Sequence, residues 1–332
     1  MSEDQVYDIT IIGGGPTGLF GLFYAGMRQM STKIIDSLEE LGGQLITLYP
    51  EKFIYDMPGY AKVKSKDLVV EMVEQGLQYG ATAALGAKVQ TLERREDGIW
   101  EIGVENGPPH LTRTAVIAAG AGGFSPKKLP LDGTEAWEGK GIQYFVRDLS
   151  RLAGRRVLIV GGGDSAIDWA LHLHPIAESV TLIHRRDRFR AHEGSVQELF
   201  AAPVDVKLFW EVAEIHGDGC VQAATIFENR TQERTTIEVD DLLLCLGFGA
   251  DLGPIRTWGL EMEGTSIKVN DVMETNLPGV YAAGDVTTHR GKLKLIATGV
   301  GEAAIAVNYA KTVVDPTARA FPGHSTDVMA PK

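Results

Sequence analysis

Cysteine is almost absent. Cys220 and Cys245 stand 25 positions apart, with no Cys-x-x-Cys pair and no histidine at metal-ligand spacing beside either. A disulfide-stapled miniprotein and a cysteine-based metal site are excluded, and a reduced cytoplasmic setting is expected. Positive charge is also short, with 32 basic residues against 44 acidic ones and a formal net charge of −12. That balance lacks the surplus of a protein whose main ligand is nucleic acid or an anionic membrane, although a locally basic site stays open. Long apolar runs are missing too. The stretches from Ala115 to Phe124 and from Leu242 to Ala250 fall well short of the ~20 residues that span a bilayer. Both read as buried strands leading into glycine turns. The opening Met1-Ser2-Glu3-Asp4 is acidic and runs straight into a strand-like Tyr7 to Ile12, so no secretory signal is expected.

What is present is apolar bulk and glycine. The chain has 332 residues, 44% hydrophobic, 23% charged and with 39 glycines, which suits about two domains with large cores. Short apolar runs followed by amphipathic stretches predict an α/β fold. One such unit runs from Tyr7–Ile12 through Gly13-Gly14-Gly15-Pro16-Thr17-Gly18 into a helix to about Gln29, then a strand at Lys33–Asp36. A second runs from Val157–Val160 through Gly161-Gly162-Gly163-Asp164-Ser165-Ala166 into a helix to about His174, then a strand at Val180–His184. The motifs lie 148 residues apart, one domain length, which predicts two Rossmann-like three-layer domains rather than a solenoid. A late strand and turn, Gly279 to Asp285, places the second domain inside the first. The expected division is 1–120 and 248–332 for one domain and 121–247 for the inserted one, with a Pro/Gly/Ser/Thr-rich tail beyond Asp315-Pro316.

The two glycine motifs make different chemical demands. Gly13, Gly15 and Gly18 fit Gly-x-Gly-x-x-Gly directly after a strand, and Asp36 follows Gly13 by 23 positions. Glycine permits close approach to a pyrophosphate, and the helix start supplies unpaired N–H groups. Pro16 suits the first helical turn because it has no N–H to waste. Asp36 can accept hydrogen bonds from both ribose hydroxyls and would repel a 2′-phosphate, so this site is expected to take FAD or NAD. In the second unit Gly161, Gly163 and Ala166 repeat the pattern, but His184 occupies the acid's place, followed by Arg185, Arg186, Arg188 and Arg190. Forked guanidinium donors favour NADP(H) there. A solvated basic loop is the blander alternative. An acid-type site with an arginine-type site implies two dinucleotides, and FAD with NADPH makes a flavoprotein reductase.

These motifs, with Gly42-Gly43-Gln44-Leu45, His184-Arg-Arg-Asp-Arg-Phe-Arg190 and Gly284-Asp285, resemble thioredoxin reductase along nearly the whole chain. The redox Cys-x-x-Cys of that family, which would fall near Tyr144-Phe145-Val146-Arg147-Asp148, is missing. The segment Leu48-Tyr49-Pro50-Glu51-Lys52 and a C-terminal extension make the chain similar to thioredoxin-reductase-type ferredoxin–NADP reductases. The resemblance implies FAD contacts from Thr17, Gln44, Tyr49, Val89 and Phe124, with Asp285 on the ribityl chain. It implies that His324 and Thr326 of the tail reach the other flavin face, in the same or the partner subunit of a homodimer. NADP(H) would lie on Asp164, Ser165, His184, Arg185, Arg186 and Arg190 beside the second turn. The implied partner is ferredoxin or flavodoxin, without nucleic acid, membrane or metal, and domain closure would hinge near Gly120 and Gly247.

Other features stay open. His324 could equally be an exposed tail histidine. Lys62, Lys64 and Lys66, and separately Arg290, Lys292 and Lys294, read as solvated basic stretches, either of which could dock an acidic electron carrier. Two rival functions remain, a low-molecular-weight disulfide reductase and a non-catalytic flavin- and NADPH-binding sensor. The first would need a reactive cysteine near the flavin.

Overall fold

The computed structural model describes residues 5–120, 122–146 and 148–324, with backbone alone at 123–125, 248 and 250. The chain divides into two compact units, one built from residues 1–123 and 250–332 and the other from 124–249. The chain passes out and back through two extended segments, Gly123–Pro126 and Phe248–Asp251, which pair with one another. Gly120 and Gly247 flank these segments in left-handed backbone, with φ of 61° and 86°, a conformation that side chains with a Cβ rarely adopt. Among the described residues no helix is long and apolar enough to cross a membrane.

The first unit begins with β1 (Val6–Ile12), α1 (Pro16–Met27) and β2 (Thr32–Ile35). Helix α2 (Ser65–Leu77), then β3 (Thr82–Ala84), β4 (Val89–Arg94), β5 (Trp100–Val104) and β6 (His110–Ile117) complete its first segment. The sheet order is β3-β2-β1-β6-β5-β4. The first four strands are parallel and the β4–β5–β6 wing is antiparallel. Strand β1 carries Ile9, Ile11 and Ile12 in full burial, as expected of a parallel strand covered on both faces. β1 lies between β2 and β6, and the carboxyl end of such a strand is where open α/β sheets take ligands.

The second unit repeats the plan with a different cover. Its parallel sheet runs β7 (Ile142–Gln143), β8 (Arg156–Gly161), α3 (Asp164–Leu173), β9 (Ser179–His184), α4 (Glu193–Ala201) and β10 (Asp205–Leu208). An antiparallel sheet of β11 (Trp210–Gly217), β12 (Val221–Glu228) and β13 (Arg234–Glu238) follows, and β14 (Asp241–Cys245) then enters the parallel sheet. The parallel order is β7-β14-β8-β9-β10. Val212, Ala224 and Ile226 of the antiparallel sheet share a core with Leu158, Val160 and Leu242. The chain then returns to the first unit, where β15 (Val280–Ala282) pairs parallel to β6 and α5 (Ile296–Val314) packs on α1.

Candidate functional site

The first turn is closed by its own packing. Gly13 has φ 115°, and a Cβ on it would fall 2.4 Å from the Ala118 carbonyl oxygen. A Cβ on Gly18 would fall 1.9 Å from the oxygen of Gly13, so α1 can start this close to β1 only with glycine there. Gly15 differs, because a Cβ on it would meet nothing within 4 Å. It is the N-terminal cap of α1, no side chain caps the helix and no acidic residue stands in its first turn. The turn therefore offers open space and uncapped amides, which fits a dinucleotide pyrophosphate.

Asp36 ends β2 beside this turn. Its carboxylate accepts the Gly14 amide and, through Oδ1, the Leu38 amide at 2.7 Å. Burial still holds its carboxyl above the ordinary aspartate value, outweighing the hydrogen bonds from Leu38, Gly14 and Ser37. Further donors, such as ribose hydroxyls, would favour the charged form. Val89, at the start of β4, shares a core with Ile12 and Ile35, the last residues of β1 and β2.

Other predicted residues gather at the same end of the sheet. Thr17 Oγ1 is so close to Gly284 and Gly299 that a Cβ on either would come within 2.8 and 2.4 Å of it. Gln44 opens a short helix, Gln44–Thr47, behind Gly43, and a Cβ on Gly120 would lie 3.2 Å from its Nε2. Burial, together with the nearby Asp285 charge, pushes the Tyr49 hydroxyl up to about 12, so it stays protonated at neutral pH. Phe124 lies in the extended crossing segment. Thr326 falls outside the described residues.

The tail is fastened elsewhere. The Arg28 guanidinium, just past the C-terminal end of α1, donates to the carbonyls of Arg319 at 2.8 Å and Ala320 at 3.1 Å, and also to Asn308. His324 is exposed and meets the Phe321 ring edge-on at 5.7 Å. The tail is thus fastened at the end of α1 opposite the glycine turn.

The second turn is open and cationic. A Cβ on Gly161 would fall 2.5 Å from the Cys245 carbonyl oxygen, whereas on Gly163 it would find only the Arg190 oxygen, at 3.7 Å. Gly163 caps α3 with no side-chain cap bond. Ser165 is exposed and Ala166 is buried behind the turn. Asp164 uses Oδ1 to accept the His192 amide at 3.1 Å, and the Arg190 amide donates to the Gly162 oxygen at 2.7 Å. These two bonds fold the arginine loop back over the turn. His184 stacks on Phe189 at 5.2 Å. Burial, with the charges of Arg186, Arg185 and Arg190, keeps its ring below the ordinary histidine value, against the hydrogen bond its Nε2 donates to the Arg188 carbonyl. Arg185, Arg186 and Arg190 are exposed, and none pairs with a carboxylate among the described residues.

The structure corrects part of the reading of the basic stretches, while Lys62, Arg290 and Lys294 are exposed. Lys64 and Lys66 both bond Glu51, at 2.9 and 2.5 Å, and Lys292 is buried against Glu302 at 2.6 Å. Sequence reasoning missed Glu302 altogether. It lies on the inner face of α5 and accepts the Gly284 amide at 2.7 Å. Cys220 is exposed in the turn between β11 and β12, and Cys245 ends β14. Both cysteines belong to the second unit.

Comparison with known proteins agrees with this geometry. The family model for pyridine nucleotide-disulphide oxidoreductases matches residues 7–303. The chain is 53% identical to a ferredoxin–NADP reductase 2 of Shouchella clausii, over 99% of this chain and 100% of that one. It is 51% identical to a ferredoxin–NADP reductase of Geobacillus kaustophilus, over 99% of each. Among solved structures, Lactococcus lactis thioredoxin reductase superposes with a TM-score of 0.80 at 29% identity, over 93% of this chain and 99% of that one. With matching motifs, fold and full-length relatives, the chain belongs to the pyridine nucleotide-disulphide oxidoreductase family.

Proposed function

We propose that this protein is a ferredoxin–NADP reductase, an FAD enzyme that moves electrons between NADP(H) and a one-electron carrier, ferredoxin or flavodoxin. The observation that carries the proposal is the contrast at the ends of β2 and β9. Asp36 is a buried carboxylate tied to the first glycine turn, and Arg185, Arg186 and Arg190 are exposed cations beside the second. A carboxylate selects a free ribose and a guanidinium cluster selects a 2′-phosphate. Full-length relatives that bear the name ferredoxin–NADP reductase support the same reading.

When bound, FAD supplies the exchange between a two-electron nicotinamide and a one-electron carrier. The chain's own residues bind and orient. Gly13, Gly15 and Gly18 admit the pyrophosphate, Asp36 accepts the ribose hydroxyls, and Thr17, Gln44, Val89 and Phe124 line the site. Asp285 accepts from the ribityl chain, and Tyr49 covers one flavin face with its hydroxyl protonated. In the second unit Gly161, Gly163, Ser165 and Ala166 receive the NADP(H) pyrophosphate. Asp164 and His184 support the arginine loop there. The protein works as a cytoplasmic homodimer in which His324 and Thr326 cover the flavin of the partner subunit. The anchoring of Arg319 and Ala320 at Arg28 supports that exchange.

A low-molecular-weight disulfide reductase would need a cysteine beside the flavin. Cys220 and Cys245 both lie in the unit assigned here to NADP(H), which disfavours that reading. The test is NADPH oxidation by the purified, visibly yellow protein with a panel of acceptors. Multiple turnovers with ferredoxin or flavodoxin, without thioredoxin or disulfide reduction, are expected. Comparable rates with thioredoxin or a small disulfide would overturn the assignment, and absence of turnover with every acceptor would favour a sensor.

A further inference from the structure

One buried charge cluster lies outside both glycine motifs. Glu302 is 4% exposed, and its carboxylate carries four contacts. Oε2 accepts the Gly284 amide at 2.7 Å, Lys292 Nζ donates to Oε1 at 2.7 Å and to Oε2 at 2.6 Å, and His289 Nε2 lies 2.9 Å from Oε1. The Lys292 side chain is itself 9% exposed. These residues come from three places, namely the loop after β15, the turn at Gly284 and the second turn of α5. Gly284 has φ 80° and stands against Thr17 Oγ1. The next residue, Asp285, is half-buried with its charge near Tyr49.

Stability alone does not account for so many donors on one carboxylate. Burying an ion pair costs desolvation, and a well-packed apolar replacement is often as stable. What the cluster does fix is position. The Gly284 amide is held to Glu302, and Glu302 is held in turn by Lys292 and His289, so the turn carrying Asp285 has one placement relative to Thr17 and α5. Removing Lys292 would leave a buried carboxylate with its Gly284 and His289 contacts alone. Such a carboxylate would draw in water or rotate outward, taking the Gly284 amide with it.

We propose that Lys292, Glu302 and His289 form a positioning cluster for the bound flavin, holding the Gly284–Asp285 turn in register with Thr17. The proposal rests on the reading that the first unit binds FAD. It predicts that the cluster controls flavin affinity and the flavin's surroundings without touching the chemistry of the second unit.

The experiment compares wild type with Lys292→Met, Lys292→Arg, Glu302→Gln and a core control in the second unit, Leu158→Ala. Each is purified with its flavin. The readouts are the FAD dissociation constant by reconstitution, the visible circular dichroism of the bound flavin, and the melting temperature. Lys292→Met is expected to weaken FAD at least tenfold and to change the flavin dichroism, with Lys292→Arg recovering most of the loss. Glu302→Gln, which keeps an acceptor for Gly284 at the same size, is expected to show a smaller loss in the same direction. It also covers the case in which Lys292→Met does not fold. Leu158→Ala should lower the melting temperature while leaving FAD affinity and dichroism unchanged. If the Lys292 and Glu302 variants lose melting temperature but bind FAD as wild type does with the same dichroism, the cluster is only structural and the proposal is overturned. A wild-type protein that neither retains nor takes up FAD would instead contradict the functional reading beneath it.

Discussion

The two dinucleotide turns share a backbone and differ in what surrounds it. At the first, Asp36 is drawn into the turn by the Gly14 and Leu38 amides and sits in a buried setting. At the second, His184 lies under an exposed loop whose Arg185, Arg186 and Arg190 have no carboxylate partner among the described residues. Each second-strand residue is pressed toward its neutral form, Asp36 upward and His184 downward, chiefly by burial. On the proposed assignment, the glycines would set how closely a pyrophosphate can approach, and the end of the following strand which dinucleotide is preferred. That division of labour would allow one architecture to hold two different cofactors in one chain.

Gly18→Ala should do the most damage, because its Cβ would sit 1.9 Å from a backbone oxygen that cannot yield. Expression is expected to give aggregated or colourless protein, and a soluble yellow variant would show that the turn relaxes more easily than its packing implies. Gly15→Ala and Gly163→Ala separate ligand approach from packing, since no protein atom lies within 3.4 Å of either added Cβ. Both should melt like wild type, while Gly15→Ala loses FAD and Gly163→Ala raises the KM for NADPH about tenfold, the worth of about 1.4 kcal/mol. Unchanged cofactor binding in both would mean the open space is not where the phosphates lie.

Asp36→Ala removes acceptors for two amides and for the ribose. A loss of about 1–3 kcal/mol is expected, read as FAD binding about tenfold to hundredfold weaker in a fluorescence titration. An equal loss of NADPH affinity would erase the contrast between the turns. The smallest effect concerns His184. Its folded pKa is depressed, so the unfolded chain binds more protons just below the ordinary histidine value of about 6.5, and stability declines as pH falls through that range. His184→Asn should flatten this part of the melting-temperature profile of the NADP(H)-free protein, and an unchanged slope would show that the ring does not set it.

Much of this architecture was legible because it is written locally. Strand, glycine turn, helix and second strand are contiguous, so Asp36 and His184 could be placed by counting from Gly13 and Gly161. The repeat of that pattern in one chain made the two-domain α/β fold readable as well. Contacts made across loops were not legible. Glu302 meets Lys292 and His289 from ten and thirteen positions away, with no periodicity to announce it. Lys64 and Lys66 looked like a solvated stripe, yet Lys64 just before α2 and Lys66 in its first turn both bond Glu51. Charge counted along a sequence does not show which cations are already paired.

The central claim is that the second turn selects NADP(H) through its arginines while the first does not. The most direct test is the ratio of kcat/KM for NADPH to that for NADH, in wild type and in the Arg185→Ala/Arg186→Ala double variant, with flavin content measured on the same samples. The account predicts a strong NADPH preference in wild type that falls at least tenfold in the variant through loss of NADPH activity alone, with FAD content unchanged. Equal losses for NADPH and NADH, or a preference that survives the double substitution, would contradict it.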